Sequence, residues 1–183
     1  MSTAQTNAPA TKYDPVAKTL HWLIAALVIL MLAFGPGLED LEGQELTDTL
    51  MGHSGLGLTV LVLVIIRLIW RRTHTPPPLP ADMPRWQVIS AKASHHLLYL
   101  LIFLQPIWGI LQARFGDEAV RPFGLFSLNG AESEALHELF HGLHGATAFA
   151  LYVLIGLHIA AALYHHFVRR DNVLKRMLPF VKV

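Results

Sequence analysis

Residues 139–168 read LFHGLHGATAFALYVLIGLHIAAALYHHFV and contain no Asp, Glu, Lys or Arg. A helix needs roughly 20 predominantly apolar residues to cross the hydrocarbon core of a bilayer, so this stretch is long enough to span it and to emerge. A backbone in lipid must satisfy its own hydrogen bonds, and a single isolated segment does so as a helix. The stretch therefore predicts a transmembrane helix, and it holds five of the 11 histidines in the chain.

Three further stretches lack charged side chains over a comparable length. They cover residues 19–38, 49–66 and 93–113. Four helices of similar length joined by loops predict an all-α membrane protein folded as an antiparallel four-helix bundle. We find no internal repeat or low-complexity tract, so we expect residues 1–183 to form a single membrane domain.

The composition excludes several other classes of protein. Of 183 residues, 53% are hydrophobic and 15% are charged, whereas a soluble domain carries about 25% charged residues. With 14 basic and 13 acidic side chains, the chain has no excess charge for binding nucleic acid or for remaining disordered. The absence of cysteine excludes a disulfide framework, an iron–sulfur cluster and covalently attached haem. Any redox chemistry must therefore use a cofactor held by other ligands.

The charges of the loops predict the orientation, because Lys and Arg accumulate on the cytoplasmic side of a membrane protein. Twelve basic residues fall on the side of both termini, namely Lys12, Lys18, Arg67, Arg71, Arg72, Arg85, Lys92, Arg169, Arg170, Lys175, Arg176 and Lys182. The opposite side holds Arg114 and Arg121, and its first loop carries the acids Glu39, Asp40, Glu42, Glu45 and Asp48. We therefore expect both termini to be cytoplasmic, in a bacterial inner membrane.

Four histidines lie at two depths of the predicted bundle. His21 is near the cytoplasmic start of the first span, and His53 is near the outer start of the second. On the fourth span, His144 and His158 are separated by 14 residues, which corresponds to roughly 21 Å and about 40° around a helix. Both then face the same way, so that His144 can pair with His53 and His158 with His21.

Each pair is suited to hold one haem iron, because two imidazoles from facing helices can occupy both axial positions. An unpaired imidazole in a bilayer is costly, although a single histidine can also simply hydrogen-bond within a bundle. Glycines that leave room for a flat ring flank these histidines, namely Gly52, Gly55, Gly57, Gly142, Gly145 and Gly156. We expect two b-type haems with no open axial position for oxygen, a combination suited to electron transfer rather than oxygen binding.

Several segments of the chain resemble the bacterial cytochrome b561 family of dihaem membrane proteins. They are KTLHW (18–22), HSG (53–55), VIIRL (64–68), GLHIAAALYHH (156–166) and DNVLKRM (171–177). The resemblance implies His21, His53, His144 and His158 as the axial ligands. It also implies coupling to quinone and, in one branch, oxidation of superoxide with ubiquinone as acceptor.

Three more side chains are candidates for supporting roles. Thr19 and His165 could form a quinone pocket near the inner haem, although His165 could equally be an interfacial side chain. Arg67 could pair with a haem propionate, or it could be an ordinary positively charged anchor at the membrane surface. No residue is assigned a catalytic role. If superoxide is the donor, Arg114 and Arg121 are the outer cations that could attract it past the acidic first loop.

Two other functions remain open. HELFH at residues 137–141 fits the H-E-x-x-H pattern of zinc metalloproteases, but it lies at the outer mouth and no span holds an acidic third ligand. The chain could also be a dihaem anchor that passes electrons between quinone and a hydrogenase or dehydrogenase partner. The sequence identifies no protein partner and does not separate an anchor from a self-contained oxidoreductase.

Overall fold

The computed structural model describes residues 12–181, so that Lys182 lies outside the described part of the chain. Within that part the regular structure is entirely helical, and it comprises four long α-helices. They are α1 (Pro15–Phe34), α2 (Gly43–Thr73), α3 (Arg85–Phe115) and α4 (Glu134–Tyr164). Each is long and apolar enough to cross a membrane. The prediction of an all-α, multi-pass membrane protein is confirmed.

The helices do not end where the uncharged stretches end. α2 and α3 extend past the predicted spans at both ends, since basic side chains such as Arg71 and Arg72 can reach the interface from within a helix. α1 stops at Phe34, and Gly35–Asp40 continue as a 3-10 turn. α4 passes into a π turn, His165–Arg169, which is closed by Arg170 with a φ of 55°.

The helices pack unevenly around the bundle. α4 packs along α3, while α1 and α3 pack against α2. Ile24 and Val28 of α1 meet Val60 and Val64 of α2 in a small buried cluster. Within residues 12–181, the backbone of α4 approaches α1 and α2 closely at very few points. The fourth helix is therefore held by α3, and it faces the α1–α2 pair across a wider separation.

Both described chain ends lie at one end of the bundle, which we call the termini end. The side chain of Trp22 donates from Nε1 to the carbonyl of Met177 at 2.9 Å, and Lys12 donates to the carbonyl of Val181 at 3.3 Å. These contacts fold the C-terminal segment back onto the start of α1. The opposite end, formed by the α1–α2 and α3–α4 connections, is called the loop end.

At the loop end, the α3–α4 connection folds over α2. A short 3-10 turn, Pro122–Gly124, places the ring of Phe123 so close to Gly55 that a Cβ there would lie 2.5 Å from it. Asn129 holds the connection together, since it accepts from the Val120 N–H at 3.0 Å and donates to the Gly116 carbonyl at 3.3 Å. The loop therefore contacts the helix that carries His53, two residues from Gly55.

Candidate functional site

Four histidines of the bundle face one another in two pairs. The ring centroids of His21 and His158 are 6.3 Å apart, with 64° between the ring planes. Those of His53 and His144 are 6.2 Å apart, with 61° between the planes. In each pair one imidazole comes from α4 and the other from the α1–α2 side. The structure thus brings together the residues that the sequence pairs by depth.

The separation within each pair fits two imidazoles on opposite sides of one metal ion. A metal–imidazole bond is about 2.0–2.1 Å long, and a five-membered ring with bonds of about 1.33 Å has a radius of about 1.1 Å. Two such ligands in line would have ring centroids about 6.2–6.4 Å apart. The observed 6.2 Å and 6.3 Å agree with this value. The wider separation of α4 from α1 and α2 is compatible with a flat macrocycle between them.

The surroundings of His144 are the best defined of the four. Its Nδ1 donates to the backbone carbonyl of Gln105 on α3 at 3.0 Å. A carbonyl oxygen only accepts, so the hydrogen bond places the proton on Nδ1 and leaves the lone pair on Nε2 for a metal. Gly109 makes room for the ring, since a Cβ there would lie 3.2 Å from Cε1 of His144. Sequence reasoning missed Gln105 and Gly109.

A third imidazole lies beside the pair at the termini end. The centroid of His95, on α3, is 5.5 Å from that of His158. This distance is shorter than the value for ligands on opposite sides of one metal, so His21 fits that position better than His95 does. Sequence reasoning placed His95 only at the interface. The sequence feature that could have drawn attention to His95 is the adjacent pair His95-His96. In the structure His95 is half-buried and His96 is exposed.

Arg67 lies near the same pair and is held by its neighbours. Its Nε donates to the hydroxyl of Tyr99 at 2.8 Å, and its Nη1 donates to the carbonyl of Ala17 at 2.5 Å. Ala17 precedes His21 by one helical turn, so the guanidinium lies close to the first imidazole. Nη2 has no hydrogen-bond partner within residues 12–181, which leaves one donor group for an anion such as a propionate.

The two residues of the candidate quinone pocket are placed differently from each other. His165 donates from Nδ1 to Oδ2 of Asp171 at 2.6 Å, and its side chain is 11% exposed. Arg169 joins the group, with its Nε 3.5 Å from the same oxygen. Thr19 is exposed on α1, and in the described part of the chain no hydrogen bond joins it to His165. The partner of His165, Asp171, was missed because it lies beyond the end of the helix.

The HELFH motif lies at the start of α4, and its histidines contact Gln112 of α3. Nδ1 of His137 donates to the Gln112 carbonyl at 3.2 Å, while Nδ1 of His141 is 3.2 Å from the Gln112 Nε2. Within residues 12–181, no three His, Asp or Glu side chains are arranged so that together they could hold a metal ion. The motif therefore has no third protein ligand in that region, which disfavours the metalloprotease hypothesis.

The glycines near the histidines divide into two groups. A Cβ at Gly52, Gly142, Gly145 or Gly156 would meet no atom within 4 Å, which agrees with the expected room for a flat ring. Gly55 differs, because the ring of Phe123 already occupies the space beside it. Its lack of a side chain accommodates the α3–α4 loop.

Comparison with known proteins identifies the family of the chain. Residues 12–180 match the family described as prokaryotic cytochrome b561. The chain belongs to the prokaryotic cytochrome b561 family. It is 33% identical to cytochrome b561 homolog 2 of Escherichia coli, over 94% of each chain. It is also 33% identical to the probable superoxide oxidase CybB of Yersinia pestis, over 92% of this chain and 96% of that one. Cytochrome b562 of Cereibacter sphaeroides is 31% identical, over 91% and 94% respectively.

Membership of this family confirms the resemblance drawn from the sequence, and it implies a membrane electron-transfer protein that binds b-type haem. The match covers all four helices as well as the segment that follows α4. The two imidazole pairs are the part of the chain whose chemistry and spacing suit such a group.

Proposed function

We propose that this protein holds two b-type haems and carries electrons from superoxide at the loop end to ubiquinone at the termini end. The observation that carries the proposal is the pair of facing imidazoles at each end, with centroids 6.3 Å and 6.2 Å apart. His21 and His158 would hold one haem, and His53 and His144 the other. Arg67 is the proposed partner of a propionate at the termini end.

A haem held between two imidazoles would supply one-electron transfer rather than oxygen binding. The four histidines supply neutral nitrogen ligands from helices that are already packed. α4 carries one ligand of each pair, and a separation of 14 residues places them roughly 21 Å apart along its axis. The two sites would therefore lie one above the other along the axis of the bundle.

The sidedness of the proposal follows from charge. Basic residues at the ends of helices mark the cytoplasmic side, and they cluster at the termini end, where Arg71, Arg72 and Arg169 lie. We therefore place the termini in the cytoplasm of a bacterium and the loop end on the outer face of the inner membrane. Arg121 is exposed at the loop end and is placed to attract a small anion.

The proposed reaction balances with one quinone for two superoxide ions. Each superoxide loses one electron and becomes O2, while ubiquinone gains two electrons and two protons and becomes the quinol. At the termini end, the hydrogen-bonded pair of His165 and Asp171 is suited to hold and pass a proton. Thr19, exposed on α1, is the second candidate for contact with the quinone. A relative named probable superoxide oxidase supports the choice of donor.

The proposed haem sites are tested by haem content and optical spectra of the purified protein. We expect two haems per chain in the unmodified protein, and one in either His53→Ala or His21→Ala. His96→Ala is the matched control, since His96 is exposed, and it should retain both haems. A single haem in the unmodified protein, or full haem content in both ligand variants, would contradict the proposal.

The proposed substrates are tested by supplying superoxide to protein in vesicles that contain ubiquinone. We expect two O2 for each quinol formed, and Arg121→Gln should slow the reaction more at low salt than at high salt. Arg85→Gln, at the termini end, is the control and should not slow the capture of superoxide. If no quinol forms but a large hydrogenase or dehydrogenase co-purifies from native membranes, the protein is an anchor subunit instead.

A further inference from the structure

The two imidazole pairs differ in their hydrogen bonding. Within residues 12–181, His144 is the one member of the four whose ring nitrogen has a hydrogen-bond partner, namely the carbonyl of Gln105. A partner on the far nitrogen of a ligating imidazole orients the ring and makes it a stronger electron donor to the metal. A stronger donor stabilises the more positively charged, oxidised metal, and it lowers the reduction potential.

The shape of α3 makes this contact possible. A carbonyl oxygen has two lone pairs, so that of Gln105 can accept from His144 without leaving the helix. Gly109 lies one turn further along α3, and its missing side chain lets the imidazole approach. Gln105 and Gly109 form a recess for the His144 ring, which we call the α3 recess.

The charge near the other pair acts in the opposite direction. Arg67 is tied to Ala17, one turn before His21, which places a permanent positive charge near the termini-end site. A nearby positive charge stabilises the reduced state, in which the metal carries less positive charge, and so raises the reduction potential. The hydrogen bond thus lowers the reduction potential of the loop-end site, and the guanidinium raises that of the termini-end site. Both effects place the loop-end potential below the termini-end potential.

We propose that the α3 recess lowers the reduction potential of the loop-end site below that of the termini-end site. This rests on the proposed function, because it takes the four histidines as haem ligands. An electron that enters at the loop end then moves energetically downhill toward the termini end. The recess is a positioning element, since it acts through His144 and contacts neither donor nor acceptor.

A redox titration of the purified holoprotein, followed by absorbance and electron paramagnetic resonance, tests the proposal. Gly109→Ala places a Cβ 3.2 Å from Cε1 and 3.4 Å from Nδ1 of His144, so the ring must move by a few tenths of an ångström, and we expect this shift to weaken its hydrogen bond. We expect the lower of the two midpoint potentials to rise and the upper midpoint potential to remain unchanged. Gly37→Ala is the control, because a Cβ there meets no atom within 4 Å, and neither potential should change.

Two further variants show which potential belongs to which site and whether the backbone carbonyl of Gln105 is the group that acts. Arg67→Gln should lower the upper potential only, which identifies the upper potential with the termini end. Gln105→Leu keeps the backbone carbonyl, so the lower midpoint potential should not change. The proposal is overturned if Gly109→Ala moves the upper potential or neither, if Arg67→Gln moves the lower one, or if Gln105→Leu acts as Gly109→Ala does. Fewer than two haems in the unmodified protein would instead contradict the proposed function.

Discussion

At the scale of single residues, two carboxylates join the start of α1 and the segment after α4 to their neighbours. Asp14 accepts from the Ala17 N–H at 2.9 Å and from Nε1 of Trp70 at 3.0 Å. Asp171 accepts from His165 and from the Val173 N–H. In both cases burial by itself would raise the pKa of the carboxyl group, but the hydrogen bonds outweigh burial and the pKa is lowered.

The lowered pKa of Asp171 makes a specific prediction about acid stability. A carboxylate whose folded pKa is depressed contributes stability in full above its ordinary pKa of 3.8, and this is lost as the pH falls through the folded value. Hydrogen bonds to a charged group contribute about 1.5–3 kcal/mol. We therefore expect Asp171→Asn to be less stable than the unmodified protein above pH 5, and the difference to shrink below about pH 4.

Thermal unfolding in detergent at a series of pH values measures this difference. Asp82→Asn is the control, because Asp82 also pairs with Arg169 but its side chain is 77% exposed, and exposed ion pairs contribute little. A difference between Asp171→Asn and the unmodified protein that grows as the pH falls would show that the carboxylate is not what stabilises the segment after α4.

At the scale of elements, the α3–α4 loop acts as a brace on α2. Phe123 adopts a φ of 49°, a left-handed conformation that is uncommon for a bulky residue and that persists only where surrounding contacts hold it. The contact is the close approach of its ring to Gly55. Pro122 is fully buried beside it. Because Gly55 lies two residues from His53, the loop supports the helix that carries a proposed ligand.

This brace predicts a selective effect of changing Gly55. In Gly55→Ala the new Cβ would overlap the Phe123 ring at 2.5 Å, so the ring must shift, and we expect the loop to move away from α2. We expect a lower thermal stability, by less than the ~3–5 kcal/mol lost when a fully buried phenylalanine is truncated, and partial loss of the loop-end haem. Gly37→Ala is the control, since a Cβ there would meet no atom within 4 Å.

Unfolding temperature and haem content measure both variants. Phe123→Ala, which removes the same contact from the other side, should resemble Gly55→Ala. If Gly55→Ala retains both haems and unfolds at the temperature of Gly37→Ala, the loop does not brace α2.

At the scale of the whole molecule, the absence of cysteine allows the orientation to be measured with single labels. Thr75 is exposed after α2 at the termini end, and Ala131 is exposed in the α3–α4 loop. We expect a membrane-impermeant thiol reagent to label Ala131→Cys in intact cells and Thr75→Cys only after the membrane is opened. The reverse pattern would place the termini outside and contradict the proposed sidedness.

The sequence by itself determined the number of spans and the class of fold. Uncharged runs of sufficient length leave the backbone no alternative to helices in lipid, which is a property of each segment alone. The spacing of His144 and His158 likewise follows from the regular geometry of one helix. Family motifs such as GLHIAAALYHH identified the haem-binding class from local sequence.

Only the tertiary structure decided how the side chains are supported. The hydrogen bond from His144 to Gln105 uses a backbone carbonyl, and every residue possesses one, so no letter in the sequence marks it. The contact between Phe123 and Gly55, and the approach of His95 to His158, join residues from different elements. Such contacts depend on how the helices and loops pack together, which the periodicity of a single helix does not determine.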